Sequence, residues 1–230
     1  MSAIIRSCPR PMSFAAIIFD FDGVIADSEV RANLSLSESL TAAGMPTTYD
    51  ECLRDYYGHN WQEAQRRIEA RFGRPLPADF RETHRVRARA RFMEGFDAVP
   101  GAPAFLDTMG AMPRAIASSS RAEYIDWALG LFSLRHHFGD HIYSADGWDR
   151  GKPHPDIYLK AAKGLGVDPA KCLAIEDSPT GAQAALAAGM TVVGFCGASH
   201  ITDRAAHGAM LRDTGVHHLA FAFDEISVAA

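Results

Sequence analysis

No apolar run in this sequence approaches the roughly 20 residues that a membrane-spanning helix needs, so it offers no membrane segment. Basic residues are not in excess. Lys and Arg number 23 against 28 Asp and Glu, a formal charge of −5, which leaves no electrostatic footprint for nucleic acid. An anionic ligand must then be captured by a local site and not by the overall field. Cysteine is scarce: Cys8, Cys52, Cys172 and Cys196 form no CxxC pair and have no histidine at zinc-finger spacing. They read as small buried or incidental thiols and point to a reducing, cytoplasmic setting. The ten histidines contain no HExxH pattern. There is no internal repeat and no low-complexity segment. The opening stretch, MSAIIRSCPRPMSFAAIIFDFDG, has short apolar pieces broken by prolines and does not read as a signal peptide. Residues 1–13 read as an N-terminal tail, with Met12 a second candidate start. Lysine is missing altogether until Lys152.

What is present is an ordinary globular composition, 47% apolar and 22% charged over 230 residues, enough to bury a core without disulfides or metals. Ala15–Phe19 is an apolar run that ends in acidic residues and a glycine, the pattern of a buried parallel strand with a functional loop behind it. Further apolar runs fall at Ala115–Ala117, Ile142–Tyr143, Cys172–Ile175, Thr191–Phe195 and Leu219–Phe223. Helical patterns at Pro103–Met109, Glu123–Phe132, Asp156–Leu165, Thr180–Ala188 and Asp203–Leu211 separate most of them. Alternation of strand and helix predicts an α/β fold with a doubly wound, Rossmann-like parallel sheet. Ser120 with Glu123 has the spacing of a capping box. Ser178-Pro179 places an N-cap before a first-turn proline, and Gly189 stands where that helix should stop.

Residues 28–96 break the alternation. The stretch is helix-like throughout and rich in arginine, and Val99-Pro100-Gly101 marks the return to the sheet as a turn. The expected organisation is therefore a core of residues 14–27 and 97–230 with an α-helical cap of 28–96. Most of the arginines read as a solvated helix face.

Four separate strand ends finish in reactive side chains, and in an open α/β sheet the ligand site lies beyond those carboxyl ends. Asp20 and Asp22 follow the first strand, Ser118 the second; Lys152 lies in the loop after the third, and Glu176 and Asp177 follow the fourth. Carboxylates suit Mg2+. A metal and a lysine together neutralise a phosphoryl group, a serine hydroxyl holds another of its oxygens, one carboxylate attacks phosphorus and a second moves protons. Gly23 lets the backbone turn sharply beside the ligand. Asp27 and Glu29 read as helix-start residues, Asp146 and Asp149 as part of the loop before Lys152, and His200 as part of an exposed loop, with an approach to the site from the loop after the last strand as its alternative.

These segments resemble, in order and separation, the four motifs of the haloacid dehalogenase superfamily. DFDGVIADSE at 20–29 resembles the first, ASSSR at 117–121 the second, GKPHPDIY at 151–158 the third and IEDSPTGAQAALAAGM at 175–190 the fourth. The position of the insert matches the helical cap of the members that include β-phosphoglucomutase and phosphoglycolate phosphatase-like enzymes. The resemblance implies a Mg2+-dependent phosphatase in which Asp20 becomes an aspartyl-phosphate and Asp22 protonates the leaving oxygen and then activates water. It implies that Ser118, with Ser119 beside it, and Lys152 hold the phosphoryl group. Mg2+ is then held by Asp20, the backbone carbonyl of Asp22 and Asp177, with Glu176 an outer or alternate ligand. Ser119 and Ser120 also read as turn and cap residues.

Within the family, Asp22 favours phosphoryl transfer, because dehalogenases lack an aspartate at that position. The absence of lysine before Lys152 leaves no candidate for a cap Schiff base. Mutases of this type carry a cap histidine twelve residues after the nucleophile, and here that position is Ala32, which favours hydrolysis and leaves a phosphosugar mutase of the β-phosphoglucomutase type as the alternative. The implied ligand is a small phosphorylated metabolite, a sugar phosphate or a phosphoglycolate-like acid. His59, Asn60 and Trp61 of the cap are the candidates for contact with its leaving group, against the alternative of a turn with an aromatic packed on the cap. One of Arg85, Arg87 and Arg89 is a candidate for a second anionic group.

Overall fold

The computed structural model describes residues 12–57, 61–144 and 150–229. Its centre is a six-stranded, all-parallel sheet. The strands are β2 (Ala16–Phe19), β3 (Arg114–Ser118), β4 (Ile142–Ser144), β5 (Cys172–Glu176), β6 (Thr191–Phe195) and β7 (His218–Ala220), in the order β4-β3-β2-β5-β6-β7. The chain moves outward from β2 through β3 to β4, then crosses back to place β5 on the other side of β2. The strand order reverses there, so β2 and β5 flank the switch point where a crevice opens at the carboxyl ends.

The near-continuous apolar runs follow from burial on both faces. Ile17, Phe19, Ile116, Leu173, Ile175 and Phe195 point to one side. They pack on α5 (Ala102–Thr108) and α6 (Ala122–Leu131) through Leu106, Ile125 and Leu129. Their neighbours Ala16, Ile18, Ala115, Ala117 and Ala174 point to the other. There they meet α7 (Asp156–Leu165), α8 (Pro179–Ala187) and α9 (Arg204–Asp213) through Tyr158, Ala161, Ala182, Ala185 and Leu211. Alanines on both partners let these helices approach the sheet closely. Ser178 caps α8 by accepting from the Gly181 amide at 3.1 Å, and Gly189 follows that helix at φ +81°, both as the sequence predicts.

The segment between β2 and α5 holds four helices: α1 (Glu29–Ala42), α2 (Tyr49–Asp55), α3 (Trp61–Phe72) and α4 (Phe80–Met93). They close over their own apolar cluster of Leu40, Met45, Cys52, Ile68 and Phe80. Thr48 and Glu51 form a reciprocal capping box that starts α2. Arginines of this segment mostly pair with nearby acids: Arg66 and Arg67 with Glu63, Arg71 with Glu51, Arg85 with Glu82, and Arg91 with Glu38 and Glu94. Among the described residues no helix is long and apolar enough to cross a membrane.

Three expectations need correction. Ser120 does not cap α6; the N-cap residue is Arg121, and the Ser120 hydroxyl is spent elsewhere. The last run does not continue to Phe223. The sheet stops at Ala220 because the Phe221 amide turns to Glu225 Oε2 at 2.8 Å, and Phe223–Glu225 is a 3-10 turn whose phenylalanine fills the core. Met12–Ser13, read as the end of a tail, forms a short strand β1 parallel to β8 (Val228–Ala229), a pairing 216 residues apart in register that no local pattern announces.

Candidate active site

The carboxyl end of β2 delivers Asp20, 8% exposed, and β5 delivers Glu176 and Asp177, at 0% and 2%. Each offers a carboxylate oxygen, and the three atoms lie within 4.8 Å of one another. Two glycines make the gathering sterically feasible. Gly23 sits at φ +76°, and a Cβ there would meet Asp177 Oδ2 at 1.8 Å. A Cβ on Gly181 would meet Glu176 Oε1 at 1.9 Å. Both positions are places where another atom occupies the space a side chain would take.

Lys152 answers this charge. Its Nζ donates to Asp20 Oδ1 at 2.8 Å and to Glu176 Oε1 at 2.5 Å, with only 6% of the side chain exposed. It also lies 5.2 Å from the centroid of the Tyr158 ring. Burial pulls the lysine pKa down, but Asp20 and Glu176 outweigh it and hold the group above its ordinary value. One cation does not balance three buried acids. Burial, then Glu176, raises Asp20 to about 7 against the pull of Lys152. Burial, then Asp20 and Glu176, pushes Asp177 well above the carboxylate range, and the hydrogen bond from Tyr57 opposes it. Crowded, desolvated carboxylates of this kind call for further positive charge. All-oxygen donors at the mouth of a crevice fit a hard divalent cation such as Mg2+.

Asp22 stands apart from that cluster and is held by three hydroxyls. Ser28 Oγ donates to its Oδ1 at 2.5 Å, Tyr124 Oη to the same oxygen at 3.1 Å, and Ser120 Oγ to its Oδ2 at 2.5 Å. Ser118, 1% exposed, closes β3, and its Oγ accepts from the Ser120 amide at 3.0 Å. Ser119 is exposed beside it. Glu176 is occupied on both oxygens. Tyr158 Oη donates to Oε1 at 2.6 Å, and Ser178 Oγ to Oε2 at 3.2 Å.

The cap reaches this site through Tyr57, whose Oη donates to Asp177 Oδ2 at 2.7 Å. The Tyr57 ring lies on that of His200, with centroids 4.6 Å apart. His200 is not the exposed loop residue expected from its sequence context. It is 3% exposed, with Nε2 3.7 Å from Asp177 Oδ2, and burial, then His207, drives its pKa down to about 3. His207 Nε2 donates to the Asp177 carbonyl at 2.6 Å, while among the described residues the His200 ring lies beside the Asp177 carboxylate without a hydrogen bond to it. Glu29, read as a helix-start residue, is only partly exposed, and its pKa rises to about 8 through burial and the nearby Asp22. Asp27 accepts from the Ser199 amide at 3.1 Å and ties the loop after β6 to the loop after β2.

The structure thus gathers Asp20, Lys152, Glu176 and Asp177 directly, with Asp22 and Ser118 at neighbouring strand ends. Trp61 does not join them. It stacks on Phe80 and His84 inside the cap, at 6.1 Å from each, because that side of α3 faces the cap's apolar cluster. His59, Asn60, Asp146 and Asp149 lie outside the described residues. Sequence reasoning missed Tyr57, Tyr124, Tyr158 and His207 as site residues, and preferred the exposed loop for His200 over the approach to the site. Tyr158 sits inside the GKPHPDIY segment and Tyr57 just before Gly58 in the sequence, but neither carries a charge to draw notice.

Comparison with known proteins agrees in extent with this geometry. A sequence model described as haloacid dehalogenase-like hydrolase matches residues 14–189. Hexitol phosphatase B of Escherichia coli K12 is 35% identical over 188 residues, which cover 78% of this chain and 82% of that protein. The 6-phosphogluconate phosphatase of the same organism is 27% identical over 186 residues, 80% of this chain and 84% of that one. Among solved structures, a conserved haloacid dehalogenase-like protein from Agrobacterium tumefaciens superposes with a TM-score of 0.85 at 35% identity, covering 93% of this chain and 96% of that one.

Proposed function

The chain belongs to the haloacid dehalogenase-like hydrolases and is a phosphatase of phosphoric monoesters; from that premise we propose that it is Mg2+-dependent, acts on a phosphorylated sugar, polyol or sugar acid, and works through a phosphoryl group carried on Asp20. The observation that carries the reading is the contact of Lys152 with Asp20 inside a buried three-carboxylate cluster. The substrate class follows the hexitol and 6-phosphogluconate phosphatases that the chain resembles.

In this reading Asp20, Asp177 and the Asp22 carbonyl hold Mg2+, and Glu176, already bonded to Lys152, Tyr158 and Ser178, orients the lysine from behind. When bound, the cation neutralises phosphoryl oxygens and lowers the charge felt by the attacking carboxylate. Lys152 and the Ser118 hydroxyl bind the remaining phosphoryl oxygens. An Asp20 oxygen attacks phosphorus, the ester P–O bond breaks, and the Asp22 carboxyl gives its proton to the departing alkoxide. Water then attacks phosphorus, Asp22 takes its proton, and the bond to Asp20 breaks. The hydroxyls of Ser28, Ser120 and Tyr124 hold Asp22 in place for both transfers, and each can accept as well as donate when the carboxyl is protonated. Ala32 puts no acid or base at the position where mutases of this type carry one, which favours transfer to water.

The test is phosphate release from hexitol phosphates, fructose 1-phosphate, 6-phosphogluconate and phosphoglycolate, each with Mg2+ and with chelator. Turnover that needs Mg2+, favours the polyol and sugar phosphates and is abolished in Asp20→Asn is expected. Full activity in Asp20→Asn sinks the covalent route, and activity indifferent to chelator sinks the metal.

A further inference from the structure

The cap contains a cavity of about 230 Å3 between the end of α1 and the start of α4. That is far larger than the roughly 30 Å3 one water occupies. Ser39 lies 11 residues beyond Ser28, so the cavity sits about 16 Å along α1 from the hydroxyl that holds Asp22. It is a place of its own, independent of the phosphatase reading.

Its lining comes from one face of α4. Phe80, Thr83, His84 and Arg87 recur at helical spacing and look across at Ser39 of α1 and at Ala43, which caps its end. Ser39 Oγ donates to the Ser35 carbonyl at 2.8 Å, so it accepts the proton of His84 Nδ1 at 3.1 Å. Those two groups satisfy each other. Arg87 is different. Its Nη1 is buried with no hydrogen-bond partner, and among the described residues no carboxylate pairs with it, while Arg66, Arg67, Arg71, Arg85 and Arg91 all have one. A buried guanidinium N–H without an acceptor is costly, and an arginine fork is built to take an oxyanion. Asp79 is exposed on the rim and repels a second negative charge, which favours a monoanion over a phosphate dianion. Phe80 and Ala43 supply an apolar wall for a short carbon body.

We propose that this cavity binds a small organic carboxylate, with its head group on Arg87 and Thr83 and its carbon body against Phe80 and Ala43. The ligand bridges α1 to α4 at the end of the cap far from the catalytic acids.

The experiment titrates the full chain with propionate and, separately, with inorganic phosphate, followed by amide and arginine side-chain NMR. Saturable propionate shifts confined to residues 39–43 and 79–87 are expected. They should weaken about tenfold or more in Arg87→Gln and persist in Arg89→Gln, which makes the same charge change at an exposed position. Amide shifts of Arg87→Gln outside residues 39–43 and 79–87 should match those of the unaltered chain, which shows the variant is folded. No saturable shift at these residues, or shifts equal in Arg87→Gln, overturn the site. Phosphate shifting these residues while propionate does not overturns the carboxylate assignment.

Discussion

The phenol of Tyr57, in the cap, donates to Asp177 Oδ2, in the core, across 2.7 Å and 120 residues of sequence. The bond occupies one oxygen of an acid proposed to hold Mg2+, and among the described residues no hydrogen bond is made to the other. Orienting partners of this kind are worth 10–100-fold in metal affinity. Tyr57→Phe should therefore raise the half-saturating Mg2+ concentration by about tenfold, with little change in thermal stability. Phosphate release against Mg2+ concentration measures it. An unchanged Mg2+ dependence with a lower kcat would assign the contact to cap closure alone.

Lys152 is the buried cation between Asp20 and Glu176. Lys152→Met leaves two desolvated carboxylates facing each other. Breaking a buried pair in this way costs about 3–5 kcal/mol. Urea unfolding without Mg2+ at neutral pH should show that loss. The deficit should shrink as pH falls and a carboxylate takes up a proton. Turnover should drop by about 10² or more, as when a preorganised stabilising group is removed from an active site. A variant of native stability at neutral pH contradicts the charge balance drawn for this site.

His200 is buried neutral, its pKa down at about 3. A depressed pKa means that the unfolded chain binds the proton more readily. The contribution of neutral His200 is whole above about pH 6.5 and falls away as pH drops toward 3. At pH 5 the term has cost about 2 kcal/mol. The acids Asp20 and Glu29 shift in the opposite sense, so the term must be read by difference. The stability gap between the unaltered chain and His200→Gln should change in the variant's favour by about that much between pH 7 and pH 5. A gap that does not move with pH would mean that His200 titrates normally.

Gly23 combines a left-handed φ of +76° with a Cβ direction that ends 1.8 Å from Asp177 Oδ2. Gly23→Ala is expected to cost about 1–3 kcal/mol from the backbone alone. It should also displace the Asp177 carboxylate. Circular-dichroism melting reports the first effect and Mg2+ titration of activity the second. Wild-type Mg2+ dependence in the alanine variant would show that the loop has moved instead of the acid.

Ser120 shows why some of the site was illegible. Its sequence neighbourhood, with Glu123 three residues on, carries a capping signal, yet its hydroxyl goes to Asp22, 98 residues away. A serine meets either demand equally well, and only proximity chooses. His200 is similar: a histidine after the last long strand reads as surface until Tyr57 is laid over it. Trp61 fails in the opposite direction, since an aromatic beside a cap turn serves a ligand or a core alike, and here the core cluster takes it.

The strands of the central sheet apart from the end of the last, the helices that alternate with them, the helical character of the insert, and the placing of Asp20, Asp22, Ser118, Lys152, Glu176 and Asp177 in the loops at strand ends were legible in the sequence by itself. Those features are written in contiguous residues: apolar runs, caps, and charged residues at the ends of apolar runs. The tertiary structure alone decided that Glu176 turns toward Lys152 and Tyr158, that three hydroxyls hold Asp22, and that Tyr57, His200 and His207 surround Asp177. Such contacts join residues far apart in the chain, and a hydroxyl or an imidazole has no local periodicity that states its partner. Its role is set by what the fold brings within hydrogen-bonding distance.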